Sequence, residues 1–324
     1  MGETTIEKAR TVLQNAQQVT ILSHERPDGD AVGSLLALTL SLESAGKEVS
    51  PVLLEGVPSR FRFLPGADKV ITKIPDNPEV LILVDAGDLQ RTGYPVEELP
   101  RQPDINIDHH PTNTGFARIN IVNHKASATT EILYDVIPQL GLEIDADVAA
   151  NLLAGLLTDT IGFRTDNVTS RTLEIASALV GLGAPMAEIY ARTLNQRTFV
   201  SAQYWGKGLN RLERDDGILW TSLTIEDRKA VGYPGSDDAD LVNLLATIEG
   251  IQVVLIFIEQ TGGKVKVSWR SRLGVNVAEI ATSFGGGGHE QAAGATIEGE
   301  LAEIQQRVLA VTRESISSSV EVNA

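Results

Sequence analysis

The turn "HERPDGD", His24 to Asp30, places one imidazole and two carboxylates side by side, directly after the apolar run "VTILS". The same residue types recur further along. Asp85 closes "VLILVD", Asp108, His109 and His110 close "INIDHH", and Asp159 lies in "LLTDT". Imidazole nitrogens and carboxylate oxygens are ligands for divalent cations, and they are also the groups that carry protons in hydrolysis. Each residue alone has a plainer role: Asp28 and Asp30 suit a tight turn and a helix cap, and a lone histidine is more often a hydrogen-bonded structural residue. Four such groups at matching places favour one site over four coincidences. They are read together as a dinuclear centre, with Mn²⁺ foremost and Mg²⁺, Co²⁺ or Fe²⁺ left open by the ligand types.

Positioning these groups requires a sheet. The β-rich runs "VTILS", "VSPVLLE", "KVITKI", "VLILVDAG" and "INIDHH" alternate with loops and helices, and several are apolar on both faces, which implies a parallel sheet covered by helices on both faces. In open α/β sheets the carboxyl ends of the strands face the ligand crevice, so His24, Asp28, Asp30, Asp85 and the Asp108–His110 group all project toward one place. A carboxylate buried after "VLILV" costs several kcal/mol unless something cationic neutralises it, so Asp85 needs a partner. After "ARINIVN" the chain turns helical, through "SATTEILYDVIPQL", "DADVAANLLAGLLTD" and "TSRTLEIASALVGLG", and the first domain is expected to span residues 1–185.

Residues 186–212 suit a connecting helix or helix pair. A smaller α/β domain is expected over 213–324: strand "GILWTSLT", helix "DADLVNLLATIEG", strand "IQVVLIFIEQ", a turn at "TGG", strand "KVKVSWRSR", helix "VNVAEIATSF", a glycine run, and helix "LAEIQQRVLAVTRESI". The hairpin across Thr261–Gly263 makes its sheet mixed. The tail "SSSVEVNA" is expected to fray.

The 324-residue chain has no cysteine, which excludes thiol nucleophiles, disulfides and cysteine-held metal. Of its five histidines, His124 lies outside every motif and is read as a surface residue. With 27 Lys+Arg against 43 Asp+Glu the formal charge is −16, which argues against sequence-blind binding to long nucleic acid but not against a small phosphorylated substrate at a cation centre. No apolar run is long enough to span a bilayer and the start lacks a signal-peptide core, so a cytoplasmic protein without membrane association is expected. The absence of GxxxxGK[ST] and GxSxG excludes a P-loop nucleotidase and a serine hydrolase of that type.

In their order, "HERPDGD", "VDAGD", "IDHH" and "TDT" resemble the motifs of the DHH phosphoesterase superfamily, and "GGGGH" followed by "AAG" resembles the signature of its DHHA1 domain. Length and order are most similar to the bacterial group of bifunctional oligoribonucleases and pAp (phosphoadenosine phosphate) phosphatases. The resemblance implies one cation on His24, Asp28 and Asp85 and a second on Asp30, Asp85, His109 and Asp159, with Asp85 bridging. It further implies that Asp108 orients a neighbouring histidine and that His110 contacts the scissile phosphate or acts as general acid. Paired cations of this kind lower the pKa of a bridging water and clamp both oxygens of an in-line displacement.

In "KVKVSWRSR", alternation puts Lys264, Lys266, Ser268, Arg270 and Arg272 on one strand face. The plain reading is a solvated face, but two arginines can also fork onto phosphate oxygens, and the resemblance implies that Arg270 does so. Gly286, Gly287, Gly288 and His289 are read as a segment whose backbone approaches a phosphate or base closely. Glu290 stands where the family frequently has lysine. The expected partners are short RNA or a phosphorylated nucleotide, with a homodimer left open. The rivals are a cyclic- or linear-dinucleotide phosphodiesterase, and a nucleotide-binding regulator without turnover.

Overall fold

The computed structural model describes residues 3–272 and 275–322, which fall into two compact units, 1–196 and 197–324. In the first unit the chain runs α1 (Glu3–Asn15), β1 (Gln18–Leu22), α2 (Gly29–Ser44), β2 (Glu48–Val52), β3 (Val80–Val84), β4 (Ile105–Asp108), β5 (Ile119–Val122), α3 (Thr129–Gln139), α4 (Ala146–Asp159), α5 (Ser170–Gly181) and α6 (Met186–Tyr190). The five strands are all parallel, in the order β2-β1-β3-β4-β5. The chain therefore reverses its direction of growth between β1 and β3. Such a switch point opens a crevice at the strands' carboxyl ends.

Strand alternation divides the core. Val19, Ile21, Val80, Ile82, Val84, Ile105 and Ile107 pack with the apolar sides of α1 to α4, while Leu22, Leu81 and Leu83 face Ile74, Ala86, Leu89, Tyr94 and Phe116. Helical cover on that second side takes the form of short 3-10 turns, Gln90–Thr92 and Val96–Glu98. Asp28 caps α2, Asp145 caps α4 and Thr169 opens α5 in a capping box, so each helix starts where a side-chain oxygen satisfies its first amides.

Two first-unit expectations need correction. "KVITKI" forms no strand: Lys69 ends a 3-10 turn, and only Ile71 bridges to Val52, while Lys69 and Lys73 stay in solvent. The unit also extends past residue 185. Ile189 is buried in the first core, Tyr190 and Leu194 pack against it, and the Arg192 guanidinium lies 3.9 Å from the Phe63 ring centroid.

The second unit runs α7 (Phe199–Leu209), β6 (Glu213–Asp215), β7 (Ile218–Leu223), α8 (Ile225–Val231), α9 (Leu241–Leu245), β8 (Val253–Gln260), β9 (Lys264–Ser271), α10 (Val277–Ser283), β10 (Gly287–His289), β11 (Ala292–Glu298) and α11 (Leu301–Val322). Its six-stranded sheet, ordered β10-β11-β9-β8-β7-β6, is mixed, with β7 and β8 parallel and the other pairs antiparallel. Val265, Val267 and Trp269 point into the core beneath α10 and α11, as alternation requires.

Here too the outcome differs locally. The helix expected over 238–250 is confined to α9, and α8 precedes it, closed by a Thr224/Asp227 capping box and a left-handed Gly232. The glycine run is partly strand. Helix α11 continues through Ser317–Val322, which were expected to fray, while Asn323 and Ala324 lie outside the described residues. Among the described residues no single helix is long and apolar enough to cross a membrane.

Candidate metal centre

The groups expected at strand ends meet at the switch point. Ser23 Oγ donates to Val84 O at 2.8 Å and so ties the end of β1 to the end of β3. His24, 6% exposed, has Nδ1 2.7 Å from Glu25 O. A carbonyl only accepts, so Nδ1 carries the hydrogen and Nε2 is left to face Asp85 Oδ2 at 3.6 Å and Asp28 Oδ1 at 3.9 Å. Asp28 Oδ1 also accepts from the amides of Asp30 and Ala31, both at 3.0 Å, so the capping expectation and the site expectation describe the same side chain.

Close helix packing brings in Asp30 and Asp159. A Cβ on Gly29 would stand 2.3 Å from Thr158 Oγ1, one on Gly33 2.5 Å from Asn151 O, and one on Gly155 2.7 Å from Asp30 Oδ1. Only glycine lets α2 and α4 approach this nearly. Asp30 is fully buried, and the N-terminal end of α3 orients it: Thr129 N donates to Oδ2 at 2.6 Å, and Thr130 N and Oγ1 donate to Oδ1 at 3.0 and 2.7 Å. Burial, with the charges of Asp85 and Asp28, pushes the Asp30 carboxyl up to about 7. Burial and the charge of Asp30 likewise raise Asp159 well above the usual carboxylate range.

Asp85 lies at the middle. It follows β3 with φ +56, a left-handed conformation that costs a non-glycine residue on the order of 1–3 kcal/mol. It is 1% exposed, and burial alone would raise it, but His24, His109 and His110 outweigh burial and hold it below the usual carboxylate range. Its Oδ1 accepts from Thr129 Oγ1 at 2.9 Å and lies 3.8 Å from His109 Nε2, which is itself 3.6 Å from Asp159 Oδ2. The cationic partner expected for Asp85 is thus a set of imidazoles. Burial pulls His24 down, yet Asp85 and Asp28 outweigh it and hold the ring at about 9.

Asp108 stands behind the cluster. Its Oδ1 accepts from His110 Nδ1 at 2.7 Å and its Oδ2 from Asn113 Nδ2 at 2.6 Å, which leaves His110 Nε2 directed away from Asp108. His24, Asp28 and Asp85 offer ligand atoms within 4.8 Å of one another, as do Asp30, His109 and Asp159, and as do Asp85, His109 and His110. Atoms bound to one cation at about 2.2 Å lie no more than about 4.4 Å apart, so slight closure brings each set into range. Oxygen and imidazole donors without thiolate, with a hydrogen-bonded carboxylate behind them, fit divalent cations.

In the second unit, Arg270 is half-buried on β9 and Arg272 is exposed, with Nη2 on Ile248 O at 3.1 Å. Register places Arg270 opposite Ala292, and Ala292 opposite the exposed His289, so all three share one row. A Cβ on Gly286 would stand 2.2 Å from Gly294 O and one on Gly288 2.4 Å from Ala292 O, whereas one on Gly287 meets nothing within 4 Å. Packing alone demands two of these glycines. His124 is exposed, as expected. Sequence reading passed over Thr129, Thr130 and Asn113. The signals were the two threonines opening the "TTEIL" helix and the asparagine three residues after His110.

The DHH family, N-terminal domain, matches residues 18–157, and the DHHA1 domain matches 231–315. The bifunctional oligoribonuclease and PAP phosphatase NrnA of Thermus thermophilus is 36% identical, over 96% of this chain and 95% of that protein. The protein of the same name from Bacillus subtilis is 26% identical, over 85% of this chain and 87% of its own. The crystal structure of an exopolyphosphatase-related protein from Bacteroides fragilis superposes with a TM-score of 0.90 at 25% identity, over 100% of this chain and 98% of that one. With strand-end acids and imidazoles converging behind a parallel sheet, and a mixed-sheet second unit, the chain belongs to the DHH family and carries its DHHA1 domain.

Proposed function

We infer that the protein hydrolyses phosphoester bonds in short oligoribonucleotides and in pAp, using two divalent cations, with Mn²⁺ preferred. The observation that carries this reading is the convergence of His24, Asp28 and Asp85 with Asp30, His109 and Asp159 at one end of one sheet. Relatives named oligoribonuclease and PAP phosphatase support the substrate class. Two bound cations supply an activated water and charge neutralisation on the phosphate.

The protein's own groups do the rest. In this reading Asp85, which lies 3.8 Å from His109, serves both cations, and the amides and hydroxyls of Thr129 and Thr130 hold Asp30 and Asp85 in place before any ligand arrives. Burial pulls the His110 imidazole down, yet Asp108 and Asp85 outweigh it and raise the ring above its ordinary value. With Nδ1 donating to Asp108, His110 in its protonated form presents Nε2–H to a phosphate oxygen and can pass that proton to the leaving group. Arg270, in one sheet row with His289, is the second unit's candidate for holding a substrate phosphate. Water adds to phosphorus as the P–O bond to the leaving nucleoside breaks, giving a phosphomonoester or free phosphate, with no covalent enzyme intermediate.

The test is incubation of the protein and Mn²⁺ with pAp, a dinucleotide, a longer RNA, pyrophosphate and cyclic di-AMP, followed by chromatography of the products. Release of AMP and phosphate from pAp, and of mononucleotides from the short RNA, is expected. Turnover confined to pyrophosphate or cyclic di-AMP, or turnover of nothing, contradicts the reading.

A further inference from the structure

Arg270 is held in an unusual manner for a half-buried cation. Its Nε donates to Asn243 Oδ1 at 3.1 Å and its Nη1 donates to Trp269 O at 2.9 Å. Among the described residues no carboxylate pairs with it directly. The acids nearby are engaged elsewhere: Asp238 Oδ2 accepts from Val242 N at 2.8 Å, Asp237 Oδ1 accepts from Tyr233 Oη at 2.5 Å and Ala239 N at 3.0 Å, and Asp240 pairs with Arg197 at 3.2 Å. Burial weakens the hold of the guanidinium on its proton, and the charges of Asp238 and Asp240 act the other way at longer range. The cation is balanced at a distance, not neutralised by contact.

The helix that carries Asn243 is itself fixed. Ala239 and Asp240, just before α9, both have left-handed φ, +53 and +66. Trp205 Nε1 donates to Ala239 O at 2.9 Å, and the Arg197–Asp240 pair holds the next residue. Leu241, Val242 and Leu245 of α9 pack in one cluster with Val254 of β8, and Val254 is the neighbour of Arg270 in the sheet row. Arg270 therefore lies where the cover of α9 ends. The next members of the row are Ala292, which is small, and His289, which is exposed.

We propose that Asn243 is a positioning residue for substrate phosphate: its side-chain oxygen fixes the Arg270 guanidinium by the Nε edge without cancelling its charge, so that the remaining N–H groups face the phosphate. The proposal rests on the reading that Arg270 binds that phosphate. A guanidinium has five N–H donors in a rigid fork, and the contacts to Asn243 and Trp269 commit two of them. An aspartate at 243 could accept the same hydrogen bond, but it would pair with the cation and repel the ligand.

The experiment compares wild type, Asn243→Asp, Asn243→Ala, Arg270→Ala and the double variant Asn243→Ala/Arg270→Ala, as full chains with Mn²⁺. It measures kcat and KM on pAp, affinity for AMP by calorimetry, and thermal midpoints. Asn243→Asp is expected to raise KM and weaken AMP about tenfold or more, with kcat within about twofold, as removal of a charge-assisted contact does. Asn243→Ala should fall between it and wild type. In the Arg270→Ala background, Asn243→Ala should add nothing further. An unchanged KM and AMP affinity in Asn243→Asp, or an equal loss from Asn243→Ala in both backgrounds, overturns the proposal. If Asn243→Asp unfolds, Asn243→Ala decides by the same measurements. Failure of wild type to turn over pAp or short RNA overturns the functional reading instead. The AMP affinities then still judge Asn243, and no AMP binding by wild type overturns its role as well.

Discussion

Thr129 donates its hydroxyl to Asp85 Oδ1 at 2.9 Å, while the backbone amide of the same residue donates to Asp30 Oδ2 at 2.6 Å. One residue thus orients a carboxylate from each of the two ligand sets. Thr129→Val keeps the amide and the shape but loses the hydroxyl. Cation affinity is predicted to fall about 10- to 100-fold, as on losing an outer-shell partner, with a stability loss of about 1 kcal/mol. Titration calorimetry with Mn²⁺ checks this, and an unchanged affinity would count against the role of Thr129.

Asp85→Asn separates charge from conformation. Asparagine tolerates the left-handed φ of +56 better than most residues, so the turn after β3 should survive. The anionic ligand proposed to serve both cations does not. Bound metal, measured by elemental analysis, should fall to background, and turnover of pAp should drop on the order of a thousandfold or more. Full activity with metal rigorously excluded would refute the mechanism.

Metal uptake should also release protons. In the metal-free protein burial pulls His24 down but the carboxylates around it hold it at about 9, and burial raises the Asp30 carboxyl far above its ordinary range, so both groups keep protons to higher pH than they would in water. Ligation needs both groups deprotonated. A proton competes with the cation at every pH below the raised pKa, so affinity must climb as pH rises from about 6 to about 9, by up to about tenfold per unit for each proton displaced. Calorimetry in buffers of different ionisation heat counts the protons. Uptake at pH 7 without release would show that these groups are not the ligands.

How much of this was legible in the sequence depended on the kind of signal. Asp85 was readable because a carboxylate ending "VLILVD" is costly without a partner, and a buried apolar run has few alternatives to a central strand. "KVITKI" has similar β-branched content but carries two exposed lysines, Lys69 and Lys73, and it forms a single bridge beside β2. Thr129, Thr130 and Asn113 were not legible, because small polar residues at turns and helix starts have an ordinary capping role that needs no ligand. Asn243 was hidden by α9 itself, which is one short turn set by left-handed residues and not the longer helix that apolar spacing suggested. The Thr224/Asp227 capping box of α8 was a readable signal that went unused.

The glycine run allows packing and ligand approach to be told apart. Gly286→Ala would force a methyl to within 2.2 Å of Gly294 O and is predicted to cost roughly 1–3 kcal/mol of stability. Gly287→Ala meets only open space, so its melting temperature should match wild type while KM for nucleotide substrates rises severalfold. Equal KM for Gly287→Ala and wild type would remove the strand from the substrate surface.

The most direct test of the two-cation centre is anomalous diffraction from crystals soaked in MnCl₂. Two peaks about 3.5–4 Å apart are predicted. One should be bounded by His24 and Asp28, the other by Asp30, His109 and Asp159, with Asp85 between them. A map empty around Asp28 and Asp85, or peaks confined to other parts of the chain, would contradict the account.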